Sequence, residues 1–318
     1  MKLYKPAVFQ GNLNKTRYFE GWYFKHVSGN REHVFSFIPG IALTKKNKHA
    51  FIQFIDGITG ETAYINYPLS AFRYSRKELK LWLGDSFFSN DGIKLKIEDQ
   101  KLHVEGEIKY NNLIKYPGSL FSPGIMGWYS FVPFMECKHG IVSVLHDLTG
   151  FLQLNNQKVD FTGGNGYIEK DWGTSFPESW IWLHSNTFAE PGCSFTFSVA
   201  RIPWLGSFFI GHICFLYTRG KFYLFATYNN SKINRLSFSD KTLFFELERK
   251  NHVLQVQAVQ KKDGSLKAPA IGEMNRIIKE SIDSEIEVTL QNKNGKTIFQ
   301  SKGERAGMEI IEKILTYF

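Results

Sequence analysis

Short runs of β-branched and aromatic residues, broken every few positions by Gly, Asn or Asp, recur along most of the chain. The run Tyr18-Phe19-Glu20-Gly21-Trp22-Tyr23-Phe24-Lys25-His26-Val27 predicts a strand, Ser28-Gly29-Asn30 turns it, and 33–38 follows as its hairpin partner. Further strands are predicted over 50–55, 62–67, 79–83 and 93–97, separated by Asp56-Gly57, Thr59-Gly60, Gly84-Asp85 and Asp91-Gly92. Strands at such short spacing define an all-β class built as sandwiches or barrels. Short helices are expected only over 273–280, after Pro269, and over 309–317.

The second half echoes the first. Glu20-Gly21-Trp22-Tyr23-Phe24-Lys25-His26 lines up with Glu178-Ser179-Trp180-Ile181-Trp182-Leu183-His184 at an offset of 158, and Phe35-Ser36-Phe37 with Phe195-Thr196-Phe197 at 160. Thr59-Gly60 then meets Arg219-Gly220, again at 160, and three matches in order indicate a duplicated fold. The junction falls at Gly163-Gly164-Asn165-Gly166-Tyr167-Ile168-Glu169-Lys170-Asp171-Trp172-Gly173, where charge and indole meet in a Gly-rich bend, as a lined pocket requires. The expected domains are 1–162 and 163–318. Residues 116–129 are too rich in Pro and Gly for a regular element, yet they hold Ile, Met, Trp and Tyr, so this connector is expected to tuck against a surface or a pocket mouth.

Composition sharpens the class. Aromatic residues are 16% of the 318, which favours strands around large apolar interiors. No apolar stretch follows the basic start, and the most apolar run, 204–217, is broken by Gly, Ser and His and is shorter than the ~20 residues a spanning helix needs. Cys137, Cys193 and Cys214 are odd in number and in no Cys-x-x-Cys pair, which suits reduced thiols, and the expected location is cytoplasmic. The net charge of +9 is mostly Lys scattered through turns, a solvated surface in the first place and a peripheral contact with an anionic membrane surface in the second. No nucleic-acid-binding signature accompanies it, so no nucleic-acid partner is expected. Neither a phosphate-binding Gly loop leading into a helix nor a Gly-x-Ser-x-Gly elbow is present.

Several motifs together resemble the tocopherol cyclase family, including its bacterial members. They are Tyr18-Phe19-Glu20-Gly21-Trp22-Tyr23-Phe24-Lys25, Ser122-Pro123-Gly124-Ile125-Met126-Gly127-Trp128, Pro133-Phe134-Met135-Glu136-Cys137-Lys138-His139-Gly140, Gly166-Tyr167-Ile168-Glu169-Lys170-Asp171-Trp172-Gly173 and Ala306-Gly307-Met308-Glu309. The resemblance implies two tandem lipocalin-like antiparallel β units, as in hydroxyneurosporene-synthase-like and Diels–Alderase proteins. Family members close a prenylated hydroquinone to a chromanol, so it also implies a lipophilic small-molecule substrate and no cofactor.

Ring closure of that kind needs an acid for an alkene, a water-free tertiary cation and a phenol oxygen to capture it. Glu169 and Asp171, two apart on a strand, share a face and could hold one proton between them, with Lys170 facing the other way. From pattern alone a solvated charged turn is the first reading of this triplet, and the resemblance reverses the order. The family motif often has Asn where this chain has Asp171, which makes Asp171 the weaker acid. His146 is a further candidate proton donor. Trp22, Tyr23, Trp172, Trp180 and Trp182 offer π faces to a cation, a contact worth ~2 kcal/mol when desolvated, although core packing is the first reading for Trp22. Glu20, in the middle of a strand, must be paired, neutral or at a pocket. Glu20, Trp128, Met135, Glu136 and Lys170 complete the expected substrate-binding set. No metal is expected, because Cys137, His139 and His146 match no zinc spacing. Two functions follow: a cofactor-independent cyclase or isomerase of a prenylated or polyene lipophile, and a non-catalytic lipocalin-like carrier of a hydrophobic small molecule.

Overall fold

The computed structural model describes residues 2–318 except Lys101 and Phe134. Its first sheet is built from β1 (Arg17–Val27), β2 (Val34–Thr44), β3 (Lys48–Asp56), β4 (Thr62–Pro68), β5 (Phe72–Tyr74), β6 (Lys80–Leu83), β7 (Ser86–Ser89), β8 (Gly92–Glu98), β9 (His103–Ile114), β10 (Cys137–Leu154), β11 (Gln157–Asp160) and β12 (Asn165–Gly173). The second comprises β13 (Trp180–Ser185), β14 (Thr187–Phe188), β15 (Ser194–Trp204), β16 (Ser207–Thr218), β17 (Lys221–Ala226), β18 (Lys232–Ser239), β19 (Thr242–Arg249), β20 (His252–Val259), β21 (Gly264–Ala270), β22 (Glu273–Asn292) and β23 (Thr297–Ile310). The chain is all-β apart from short 3-10 turns, and every strand predicted from the sequence is present. Among the described residues, no helix is long and apolar enough to cross a membrane.

Two compact units emerge. Unit 1 holds residues 1–56, 61–176 and 265–277, and unit 2 holds 57–60, 177–264 and 278–318. The expected boundary at 162/163 falls just before β12, which is hydrogen-bonded to β1 and β10 within the first sheet.

In unit 1 the strand order is β4-β3-β2-β1-β12-β10-β9-β8-β7-β6-β5, and the sheet curls into a nearly closed barrel. Its interior is filled by alternate residues of each strand, among them Trp22, Phe24, Phe37, Phe54, Phe88 and Ile168. Unit 2 runs β17-β16-β15-β13-β23-β22-β20-β19-β18 around a second core that includes Ile181, Leu183, Phe197, Phe245 and Met308.

In both sheets the first four long strands lie in reverse order and the last strand of the sheet, β12 or β23, seats beside the first. Phe35 and Phe195 both face a core, and Gly60 and Gly220 both turn at positive φ, so the offset of 160 holds for these elements. The tryptophan match does not. Phe24 pairs with Phe37 as Leu183 pairs with Phe197, which sets the offset of the first strand at 183 − 24 = 159. Trp22 therefore corresponds to Ile181, and Tyr23 to Trp182. A one-residue slip exchanges faces, and so Trp22 is core while Trp182 is not part of it.

The segment expected as a helix over 273–280 is the start of β22. Its composition of Glu, Met, Arg and Lys favours a helix, but tertiary pairing overrides so weak a preference. Ile271 and Gly272 turn with φ of 52° and 83°, the two positive values of a type I′ hairpin, and return the chain antiparallel from β21. The hairpin tip belongs to unit 1. Gln53 exchanges two hydrogen bonds with the Lys267 backbone (2.8 and 2.9 Å), Phe176 N–H donates to Pro269 O at 3.1 Å, and a Cβ on Gly272 would meet Leu43 O at 2.9 Å. The other expected helix, 309–317, is β23 up to Ile310 and then a 3-10 segment over Glu312–Tyr317.

Candidate functional site

Alternation along β12 separates its side chains into two chemically distinct sets. Lys170 and Trp172 point into unit 1 with Glu20 and Trp22 of β1, since Trp22 is the ladder partner of Lys170 and Glu20 of Trp172. Tyr167, Glu169 and Asp171 point to the opposite face, with Tyr23 and Lys25. The sequence expectation that Glu169 and Asp171 share a face, and that Lys170 turns away, describes this strand.

The inner set is an ion pair without any exposure. Lys170 Nζ lies 2.6 Å from Glu20 Oε1 and donates to Pro6 O at 2.7 Å and Val8 O at 2.6 Å, which uses all three ammonium donors. Trp22 and Trp172 flank it, with ring centroids at 4.8 and 4.7 Å. Glu20 also accepts from Gln10 N–H, Gly11 N–H and the Tyr18 hydroxyl. The pair thus pins the N-terminal segment into unit 1. Burial pulls the Lys170 pKa down to about 8, against the pull of Glu20.

On the other face β10 supplies the residue that sequence reasoning missed. His139 is the ladder partner of Asp171, and Ile141 that of Glu169. Its Nδ1 lies 2.9 Å from Asp171 Oδ1 and its Nε2 3.5 Å from Glu169 Oε2, while Tyr167 donates to Glu169 Oε2 at 2.6 Å. Glu169 is buried, whereas His139 and Asp171 keep 14% and 25% of their side-chain exposure. Burial alone would lower the His139 pKa, but the carboxylates of Asp171 and Glu169 outweigh it and raise it to about 9.

His139, Glu169 and Asp171 are also a metal-capable trio by composition, with one ligand atom from each within 4.8 Å of the others. Each ring nitrogen of His139 faces a different carboxylate: Nδ1 is hydrogen-bonded to Asp171, and Nε2 lies within ion-pair distance of Glu169 without a hydrogen bond.

The raised pKa has a consequence for stability. A folded-state value above the unfolded ~6.5 contributes stability that is fully present below that pH and is lost as pH rises through about 9. Lys170, lowered to about 8, acts in the opposite sense between there and 10.5, so the readout is a difference. Chemical denaturation of wild type and Asp171→Asn from pH 6 to 10 is expected to show an advantage for wild type that shrinks towards pH 10. A gap independent of pH would contradict the imidazolium.

His146 lies elsewhere, inside unit 1. Its Nδ1 is 2.9 Å from Ser143 Oγ and its ring packs, tilted by 44°, against Tyr110 with centroids 4.3 Å apart, while Tyr110 holds His26 Nε2 at 2.6 Å. Burial, and then His26, push its pKa well down, so it stands neutral. Gly166 gives this ring its space: a Cβ there would come within 2.1 Å of His146 Nε2. Gly166→Ala is expected to cost about 1–3 kcal/mol by overpacking, read from the denaturation midpoint. Met135 and Glu136 precede β10, Glu136 exposed, and Trp128 is 47% exposed beside Tyr129.

Unit 2 carries a related arrangement. Just as Tyr23 lies opposite Glu169, its counterpart Trp182 lies opposite Glu309, and Glu309 accepts from Trp180 Nε1 at 2.7 Å. Each unit therefore sets a glutamate beside an aromatic residue at the same ladder position, on the face away from its core. Glu309 was legible only as the end of the motif Ala306-Gly307-Met308-Glu309.

Two aromatic-cored β units, each with an acid-bearing outer face, define a lipocalin-like β protein. The chain belongs to the tocopherol cyclase-like family, whose profile matches residues 96–311. It is 25% identical over 162 residues to the probable chloroplastic tocopherol cyclase of Oryza sativa subsp. japonica, covering 46% of this chain and 32% of that protein. The chloroplastic tocopherol cyclase of Zea mays is also 25% identical, over 152 residues, so the match spans about a third of the length of these curated relatives. Among solved structures, a putative AttH from Nitrosomonas europaea aligns with a TM-score of 0.53 at 13% identity over 94% of both chains. CghA aligns with a TM-score of 0.60 at 9% identity over 92% of this chain and 88% of its own. At these identities the structures establish the fold.

Proposed function

We propose that this protein is an acid catalyst that cyclises or isomerises a prenylated or polyene lipophile without a cofactor. The observation that carries this reading is the His139–Glu169–Asp171 trio, an imidazole set between two carboxylates that raise its pKa to about 9. In this reading His139 stores the proton and Glu169 delivers it to a substrate alkene. The tertiary cation that forms is captured by a phenol oxygen, and the proton that oxygen sheds returns to the carboxylates. Atoms and charge balance without an oxidant or a reductant, which is why the reaction asks for no cofactor.

Membership of the tocopherol cyclase-like family supports the reaction class. A structure of CghA with Sch210972 and the fold shared with kievitone hydratase from Nectria haematococca support a small organic substrate. On the same reading Asp171 assists Glu169, and Tyr23, Trp180 and Trp182 offer aromatic faces to the lipophile. Trp22, Trp172, Glu20 and Lys170 hold the strand that carries the acid. The cytoplasmic location expected from the sequence belongs to this reading too.

Organic extraction of freshly purified protein, followed by mass spectrometry, tests the substrate class. A stoichiometric prenylated aromatic or polyene is the expected result. Recovery of fatty acids alone would favour the carrier.

A further inference from the structure

Residues 116–133 join β9 to β10 with an irregular path, and one side of that path is fixed while the other is bare. Ile125 and Met126 are buried, and Met126 Sδ accepts the backbone N–H of His139 at 3.1 Å, so the connector lies directly against the proposed acid. Its other side exposes Leu120 at 68%, Phe121 at 79%, Trp128 at 47% and Phe131 at 46%. A lone exposed apolar residue such as Leu205 needs no explanation, but four within twelve positions form a patch.

The N-terminal turn Lys2–Tyr4 is tied to the same patch. Tyr4 donates its hydroxyl to Leu120 O at 2.8 Å and meets the Phe131 ring edge-on at 6.4 Å. Lys138 anchors the opposite end through Ser130 O at 3.0 Å. The two segments are uniformly basic: residues 1–19 and 111–135 contain Lys2, Lys5, Lys15, Arg17 and Lys115 and no Asp or Glu. Glu136, exposed, is the first acid to follow. Burial and then the Lys15 ammonium depress the Lys138 pKa, so like charges crowd at this edge.

We propose that this face, formed by residues 116–133 and the Lys2–Tyr4 turn, docks on an anionic lipid bilayer. Leu120, Phe121, Trp128 and Phe131 enter the headgroup and acyl boundary, and the surrounding ammonium groups meet lipid phosphates. Aromatic and aliphatic side chains on segments whose only charges are basic are the pattern of an interfacial anchor, in which buried apolar area and electrostatic attraction add. A bilayer is also a reservoir of lipophile beside His139; that corollary alone rests on the proposed function, and the binding test does not.

Co-sedimentation of the full chain with vesicles of phosphatidylcholine alone, or mixed in equal parts with phosphatidylglycerol, tests the docking. Binding to the anionic vesicles is expected to be roughly tenfold tighter or more, and to weaken with salt. The double variant Leu120→Asp/Phe121→Asp, altered only at exposed positions, is expected to lose most of that binding with an unchanged unfolding temperature. Lys2→Glu/Lys5→Glu is expected to lose the salt-sensitive part. Equal affinity for the two vesicles, or a double variant that binds as wild type does, would overturn the proposal. So would a dimer in sedimentation equilibrium that the double variant dissolves while vesicles go unbound, because the patch would then be covered by a second copy.

Discussion

Glu169→Gln is expected to lower turnover of a cyclisable lipophile by about 10²–10⁴-fold while ligand retention stays close to wild type. The amide keeps the shape and the hydrogen bond from Tyr167 at 2.6 Å, but it cannot pass a proton on. His139→Gln is expected to fall in the same range, and the double variant to cost scarcely more than either single change, because groups that act as a unit are not additive. Ring closure leaves mass unchanged, so the assay reads chromatographic retention or absorbance. Loss of binding in parallel with turnover would make Glu169 a packing residue, and unchanged turnover would remove the acid role altogether.

The second large effect is on stability. Lys170→Met leaves Glu20 fully buried beside two backbone carbonyls that have lost their donor, and removing one partner of such a pair costs about 3–5 kcal/mol. For a folding unit the size of unit 1 that corresponds to a fall in unfolding temperature of roughly 6–20 °C. Lys170→Met combined with Glu20→Gln is expected to recover part of the loss, since the isolated charge is gone. A single variant that melts with wild type would mean that the N-terminal segment is not held by this pair. The comparison also separates the two faces of β12: Lys170 variants act on the melt, and Glu169 variants on the reaction.

The face of each charged residue in β12 was legible because a strand alternates strictly, and Glu169, Lys170 and Asp171 needed nothing more. The partner of Asp171 was not legible. His139 reaches it only through the β10–β12 ladder, whose register shifts between Ile141 and Ser143 and again between Ser143 and His146. Read as a linear string, Cys137, His139 and His146 invite a search for metal spacing, which scatters residues that the fold sends to opposite faces. The duplication was legible in its hairpins and misleading in its tryptophans. Trp22 and Trp180 match by letter, yet the ladder pairs place Trp22 with Ile181, because the connection following β13 is a residue longer than that following β1. The same slip hid the correspondence of Glu169 with Glu309. In β22 the local composition spoke for a helix, and only the I′ turn at Ile271 and Gly272 and the pairing beyond it decide otherwise.

Acid catalysis at this site requires a proton that stays on His139 at neutral pH. An NMR titration of the imidazole carbons and nitrogens from pH 5 to 10.5, with His139 assigned by its loss in His139→Gln, measures this directly. A midpoint near 9 that drops in Asp171→Asn is the predicted result. A midpoint at or below the ordinary ~6.5 would show a neutral ring between the two carboxylates and contradict the acid store.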